Sequence, residues 1–168
     1  IVINNIMQIV KMKKVFLFFI LIGLLAFGSC EKEKGCVQTS PSDEKAAMAA
    51  FCTTNGITYT EHSSGILYQV INAGTNITPS LDSRIFIYYT GKLMNGTTFE
   101  TLSDPTRTGW QLKSLIEGWQ VGLPLIQKGG RIKLVIPSSL AYGCVGAGGG
   151  IAPNSPLFFD ITLTDVQP

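Results

Sequence analysis

Residues 114–123, SLIEGWQVGL, carry the decision about the fold of this 168-residue chain. Leu115, Ile116 and Trp119 recur at helical spacing and fall on one side, while Gly118 and Gly122 permit a close approach to whatever lies there. The segment is only about two to three turns long, too short to be stable alone, so it must be held against something larger. What surrounds it has the period of strands: ITYTE (57–61), ILYQVI (66–71), RIFIYYTGKL (84–93), RIKLVIP (131–137) and LFFDITLTDV (157–166). In the last of these Leu157, Phe159, Ile161 and Leu163 share one face. Successive strands with one short helix argue an α+β class rather than alternating βα units. The expected architecture is a curled antiparallel β-sheet wrapped around one short helix.

A helical extension precedes this domain. In DEKAAMAAFCTTNG (43–56), Ser42 is placed to cap a helix, acids occupy its first turn, and Asn55-Gly56 stops it. Met48, Phe51 and Cys52 are the side chains it offers for packing. Before it, EKEKGCVQTSPS (31–42) is polar and short of core material, and reads as a tether. Further upstream, MKKVFLFFILIGLLAFGSC (12–30) sets two lysines before an apolar run and small residues before Cys30. That run is shorter than the roughly 20 residues of a membrane span and fits a cleaved secretory signal. Gly28-Ser29-Cys30 resembles a bacterial lipobox, with Phe27 where a smaller aliphatic is usual, which makes Cys30 the lipidated first mature residue. Residues 1–11 read as sequence upstream of a start at Met12, with Met7 the alternative. The expected organisation is upstream residues and signal at 1–29, lipidated tether at 30–42, helical appendage at 43–56 and folded domain at 57–168.

Charge and cysteine content narrow the function. The chain carries 13 basic and 11 acidic residues, but without Lys11, Lys13 and Lys14 the balance is 10 against 11. The basicity therefore belongs to the export segment, and the remainder lacks the single-sign surface that nucleic-acid binding needs. Cys36, Cys52 and Cys144 have no metal-ligand spacing, His62 is the only histidine, and no metal or cofactor site is expected. One reading pairs Cys36 with Cys52 in an oxidising envelope; the other leaves both as free thiols. An odd count leaves at least one thiol unpaired within the monomer.

Four segments carry a resemblance: YYTGKLMNGTTFE (88–100), LIEGWQVGL (115–123), GGRIKLVIPSSLAYG (129–143) and IAPNSPLFFDITL (151–163). In order and spacing they resemble the FK506-binding-protein family of peptidyl-prolyl isomerases, from about Gly65 to Val166. The export signal and helical extension resemble the envelope lipoprotein members found in Bacteroidetes, some of them associated with gliding motility. The resemblance implies a proline-binding hollow with catalytic-site residues Tyr89, Phe99, Glu100, Trp119, Tyr142 and Phe159, and substrate-binding residues Trp110, Leu115, Ile116 and Ile151. Trp119 would lie beneath the prolyl ring, and the Tyr142 hydroxyl would donate to a substrate carbonyl. Glu100 stands where aspartate is usual, which moves the carboxylate one methylene outward, and Ala152 stands where proline is common. The spacing between Trp110 and LIEGW is shorter than in small members of the family.

The residues agree with that chemistry on their own terms. Rotating a peptide bond before proline makes and breaks no covalent bond, so no nucleophile or general base is required. The obstacle is an amide-resonance barrier of about 20 kcal/mol. A water-poor aromatic pocket that binds the twisted form more tightly than the planar form lowers it. Hydrolase chemistry fits poorly, since neither His62 nor Cys144 has partners nearby in sequence. Core burial is the competing reading for Phe159 and Ile116, and Trp119 suits both roles. Tyr142, beside loop glycines, is better explained by function.

The loop GCVGAGGGIAPNSPLFFD (143–160) lacks the lysine-serine or lysine-threonine ending of a phosphate loop and opens no periodic helix. Its glycines, at 146 and 148–150, suit sharp turns beside an uncharged pocket. The activity expected is isomerisation of X-Pro bonds in exported or envelope proteins, at a lipid-anchored site on the periplasmic side of the outer membrane or the cell surface. The alternative is a non-catalytic chaperone or proline-segment binding module of the envelope. Partners are proline-containing segments of unfolded proteins and, through the lipid, the membrane.

Overall fold

A computed structural model describes residues 35–148 and 150–168. The expected export signal, the expected lipidation position Cys30 and Gly149 lie outside the described residues. In chain order the elements are helix α1 (Pro41–Thr54), strands β1 (Thr60–Glu61), β2 (Leu67–Asn72), β3 (Arg84–Leu93), β4 (Thr98–Leu102) and β5 (Trp110–Gln111), helix α2 (Glu117–Gly122), and strands β6 (Arg131–Ile136) and β7 (Leu157–Gln167). All pairings among these strands are antiparallel.

The strand order is β1-β2-β6-β7-β3-β4, with β5 also on β3. This corrects the curled sheet expected from sequence. The path is open, with β1 at one end and β4 at the other, and the sheet neither closes nor wraps the helix. The physical reason lies in how its two faces are covered. α2 and its flanking turns pack on one face, over Ile87, Leu134, Ile136, Phe159 and Ile161. On the other face Met48, Phe51 and Cys52 of α1 pack on Leu67, Val135 and Phe158. Consecutive residues serve opposite layers, as the pleat requires: Phe158 meets Phe51 at 5.2 Å, while Phe159 meets Trp119 at 5.1 Å. The result is a layered sheet-plus-helix fold.

Helix α2 is shorter than the segment read from sequence. Ile116 is extended (φ −56°, ψ 144°) at its N-terminal boundary, and 3-10 turns at Leu112–Ser114 and Leu123–Leu125 flank it. Pro124 lacks the amide donor needed to carry the helix on. The close approach expected of its glycines is real. A Cβ on Gly122 would lie 2.6 Å from Leu134 Cδ1, and one on Gly118 would overlap Ile136 Cγ2.

At α1 the cap is Ser40 rather than Ser42. Ser40 is extended and accepts from the Asp43 amide, and Pro41 takes the first helical position, where its fixed φ fits and no donor is lost. The stop expected at Asn55-Gly56 is present, with Asn55 Nδ2 donating to the Phe51 carbonyl at 2.8 Å and Gly56 at φ +62°. Strand 57–61 shrinks to Thr60–Glu61, because Ile57 turns into the core beneath α1. The pairing of Cys36 with Cys52 is also corrected: Cys36 is bonded to Cys144, their Cα atoms 5.4 Å apart. Cys52 is a free thiol turned into the core under α1, whereas Cys36 is exposed ahead of that helix.

Candidate active site

Three sheet positions and one helix position bring the aromatic residues together. Tyr89 on β3 and Phe159 on β7 point to the α2 side of the sheet, and the first turn of α2 lowers Trp119 onto them. Tyr89 and Trp119 meet edge to face with ring centroids 4.9 Å apart, and Phe159 meets Phe99 of β4 at 5.7 Å and 87°. Such T-shaped contacts match the positive ring edge to the negative ring face and stiffen the cluster. Trp119 and Phe159 are 4% and 2% exposed, so the expectation that Trp119 serves both core and hollow describes both residues.

Above them opens a hollow of about 260 Å³. Tyr89, Glu100, Trp110, Leu115, Ile116, Trp119, Tyr142 and Phe159 line it, eight of the ten residues named from sequence. Phe99 and Ile151 do not. They line an adjoining recess of about 200 Å³, which shares Glu100 and Tyr142 with the first. Leu115 and Ile116 reach the hollow from extended backbone before α2, not from its helical face. Ser114 lines the hollow and was not legible as a site residue, since nothing in its type or position separates it from an ordinary exposed serine. Ala147 and Gly148 line the recess, and only the proximity of the glycine-rich loop hinted at them.

The polar groups are few. Glu100 is exposed at the rim between two phenols. Burial, and next the hydrogen bond and charge of Glu100, push the Tyr89 hydroxyl well above the ordinary tyrosine range. Burial first and the Glu100 charge second push Tyr142 up as well. Both therefore stay protonated as donors at neutral pH. Trp119 Nε1 has no acceptor among the described residues. Tyr142 is 37% exposed, carried by the loop that follows β6. In that loop Gly146 has φ +72°, and a Cβ there would lie 2.5 Å from the Ile151 carbonyl oxygen, so only glycine fits the turn.

A second concavity, of about 560 Å³, opens on the α1 side of the sheet and includes Tyr88, Lys92, Arg131, Lys133 and Asp160. It is larger, but Lys92, Arg131, Lys133 and Asp160 set charge along it, and Arg131 is already committed to Asp160 at 2.8 and 2.9 Å. His62 bonds Ser64 at 2.9 Å. An apolar chain segment with a few donors at its rim suits the first hollow.

The family model described as FKBP-type peptidyl-prolyl cis-trans isomerase matches residues 75–164. A Haemophilus influenzae protein named as a probable FKBP-type peptidyl-prolyl cis-trans isomerase is 42% identical over 62% of this chain and 44% of its own length. The isomerase FkpA of Escherichia coli is 44% identical over 63% of this chain and 39% of its own length. The chain thus spans less than half of these curated relatives. Among solved structures, a peptidyl-prolyl cis-trans isomerase of Pseudomonas syringae superposes with TM-score 0.66 at 34% identity, covering 77% of this chain and 94% of that one. The crystal structure of Escherichia coli FkpA gives TM-score 0.63 at 37% identity, covering 76% of this chain and 61% of that one.

Proposed function

The chain belongs to the FKBP-type peptidyl-prolyl cis-trans isomerase family, and on that premise we propose that it accelerates rotation about X-Pro bonds seated in the hollow above Trp119. The observation that carries this is the composition of the hollow: a buried Tyr89–Trp119–Phe159 floor, aliphatic Leu115 and Ile116, and phenol donors at the rim. The planar amide is dipolar through resonance, whereas the twisted imide is less so. Transfer from water to an apolar floor therefore disfavours the planar form relative to the twisted one, against a barrier of about 20 kcal/mol. The Tyr142 hydroxyl, kept protonated, donates to a substrate carbonyl and fixes the chain while the bond turns. Glu100 bonds the Tyr89 phenol, lies close enough for its charge to act on Tyr142, and takes no proton in the reaction.

The same reading extends to the compartment. The chain is exported by residues 12–30 and held by lipid on Cys30, on the periplasmic side of the outer membrane, as in the Bacteroidetes envelope lipoproteins it resembles. Its clients are proline-containing segments of unfolded or folding envelope proteins. The Cys36–Cys144 disulfide supports an oxidising compartment. Mass spectrometry of the mature N-terminus tests the anchor.

For the activity, exchange spectroscopy on a proline tetrapeptide, with and without the full chain, reads the cis-trans rate directly. Faster exchange at substoichiometric protein supports the isomerase. Binding without faster exchange favours a holding module.

A further inference from the structure

Tyr142 is bracketed by two fastenings whose far ends lie outside the residues matched by the family model. Four residues before it, Ser138 donates its amide to Glu44 Oε2 at 2.7 Å and its hydroxyl to Glu44 Oε1 at 2.5 Å. Two residues after it, Cys144 is bonded to Cys36. Gln38 Nε2 donates to the Ser139 carbonyl at 3.2 Å. Asn154 Oδ1 accepts from the Thr39 amide at 3.2 Å, and Asn154 Nδ2 donates to the Val37 carbonyl at 3.0 Å.

Ser138 passes this restraint on. Its carbonyl accepts from the amides of Ala141 and Gly143, the two neighbours of Tyr142, at 3.0 and 2.8 Å. The Tyr142 side chain is 37% exposed, and the hydrogen bonds that hold its turn are made by backbone, including Gly146 N–H to the Tyr142 carbonyl at 3.1 Å. Its position is therefore inherited from the backbone that Ser138 holds.

Glu44 is the unusual member. It is 6% exposed, and a buried carboxylate is unfavourable unless fully bonded. Docking α1 does not require it, since Met48 and Phe51 supply the apolar contact. Both its bonds go to one serine, in the turn that sets Tyr142.

We propose that Glu44, acting through Ser138 and with the Cys36–Cys144 bond, is a positioning residue that holds Tyr142 at the rim of the hollow. This rests on the isomerase reading of that hollow. The helical extension is then part of the site's support rather than an appendage beside it.

The test uses the oxidised full chain and the variants Glu44→Ala, Glu44→Gln and Cys36→Ser, each alone and with Tyr142→Phe. Kinetics on a proline tetrapeptide and amide exchange over residues 139–146 are measured together. Glu44→Ala should lower kcat/KM about tenfold in the native background, as a small misplacement near a reacting group does. It should lower it less than about twofold once Tyr142 is phenylalanine, because coupled residues are not additive. Glu44→Gln, which still offers an acceptor to the Ser138 amide and a donor to its hydroxyl, should recover part of the loss. Exchange at Ala141–Val145 should quicken in Glu44→Ala and Cys36→Ser.

A folded Glu44→Ala with unchanged kcat/KM, or with the same loss in both backgrounds, overturns the proposal. Should Glu44→Ala fail to fold, Cys36→Ser carries the same comparison. A wild-type chain that does not accelerate isomerisation sinks the isomerase reading instead. The proposal is then judged on exchange and peptide affinity: both altered in Glu44→Ala uphold it, and both unaltered overturn it.

Discussion

The rings of Tyr89 and Trp119 meet edge to face, centroids 4.9 Å apart and planes at 82°. Trp119 shares the hollow with Trp110, and the chain has only these 2 tryptophans. Intrinsic fluorescence therefore reports occupancy of the hollow and little else. A proline tetrapeptide should shift the emission to shorter wavelength as water leaves the indole of Trp110, which is half-buried. Trp110→Phe should abolish most of that shift and Trp119→Phe little of it, because Trp119 is only 4% exposed before binding. An unchanged spectrum at saturating peptide would place binding elsewhere.

The two rim phenols give a prediction in pH. Tyr89 and Tyr142 are both raised above the ordinary 10.0, by burial first and by Glu100 second. The folded chain keeps these protons where the unfolded chain has released them. Their contribution to stability is complete below about pH 10 and is lost as pH rises through the folded values. Absorbance titration of the 5 tyrosines should show two that ionise late. Glu100→Gln should bring them down only in part. Turnover should be flat between about pH 6 and pH 9, since no general base takes part.

Packing of α2 against β6 leaves no room for a side chain at residue 118, where a Cβ would overlap Ile136. Gly118→Ala should lower stability by about 1–3 kcal/mol, the usual range for overpacking. Denaturant unfolding measures it. The same helix carries Trp119, so peptide affinity should fall with it. A neutral Gly118→Ala would mean that α2 rides further from the sheet.

Cys52 is fully buried, and burial pushes its thiol up, which makes it a poor nucleophile. Peptide mapping after alkylation should find Cys52 modified only when the chain is unfolded, and Cys36 and Cys144 only after reduction. Modification of Cys52 in the native state would contradict the docking of α1.

The fold was legible where burial alternates strongly and where local chemistry marks an end. RIFIYYTGKL and LFFDITLTDV became β3 and β7 almost residue for residue, and Asn55-Gly56 ended α1. β4 was missed because TFETL has exposed threonines and little core content, although Asn95-Gly96 before it is a hairpin signal. β5 is 2 residues long and exists only by pairing with β3, which no local pattern reveals. The curled sheet failed because curvature depends on which strands become edges, a long-range property.

Eight of the ten site residues implied by the family resemblance line one hollow; strand and helix periods account for the directions of Tyr89, Phe159 and Trp119, whereas Leu115 and Ile116 arrive from extended backbone that no period marks. The partner of Cys36 was not legible. Its sequence separation from Cys144 is 108 residues, and only the folded chain brings them together.

In the proposed activity the hollow lowers the X-Pro rotation barrier with Tyr142 as donor. The most direct measurement compares kcat/KM of the full chain and of Tyr142→Phe on a chromogenic proline tetrapeptide, with Glu100→Asp beside them. Clear acceleration by the wild-type chain is expected, with a fall of about tenfold in Tyr142→Phe, the loss of one hydrogen bond worth about 1.4 kcal/mol. Glu100→Asp, which keeps the charge beside both phenols, should retain activity. Wild-type turnover no faster than the uncatalysed rate, or a Tyr142→Phe as fast as wild type, would contradict it.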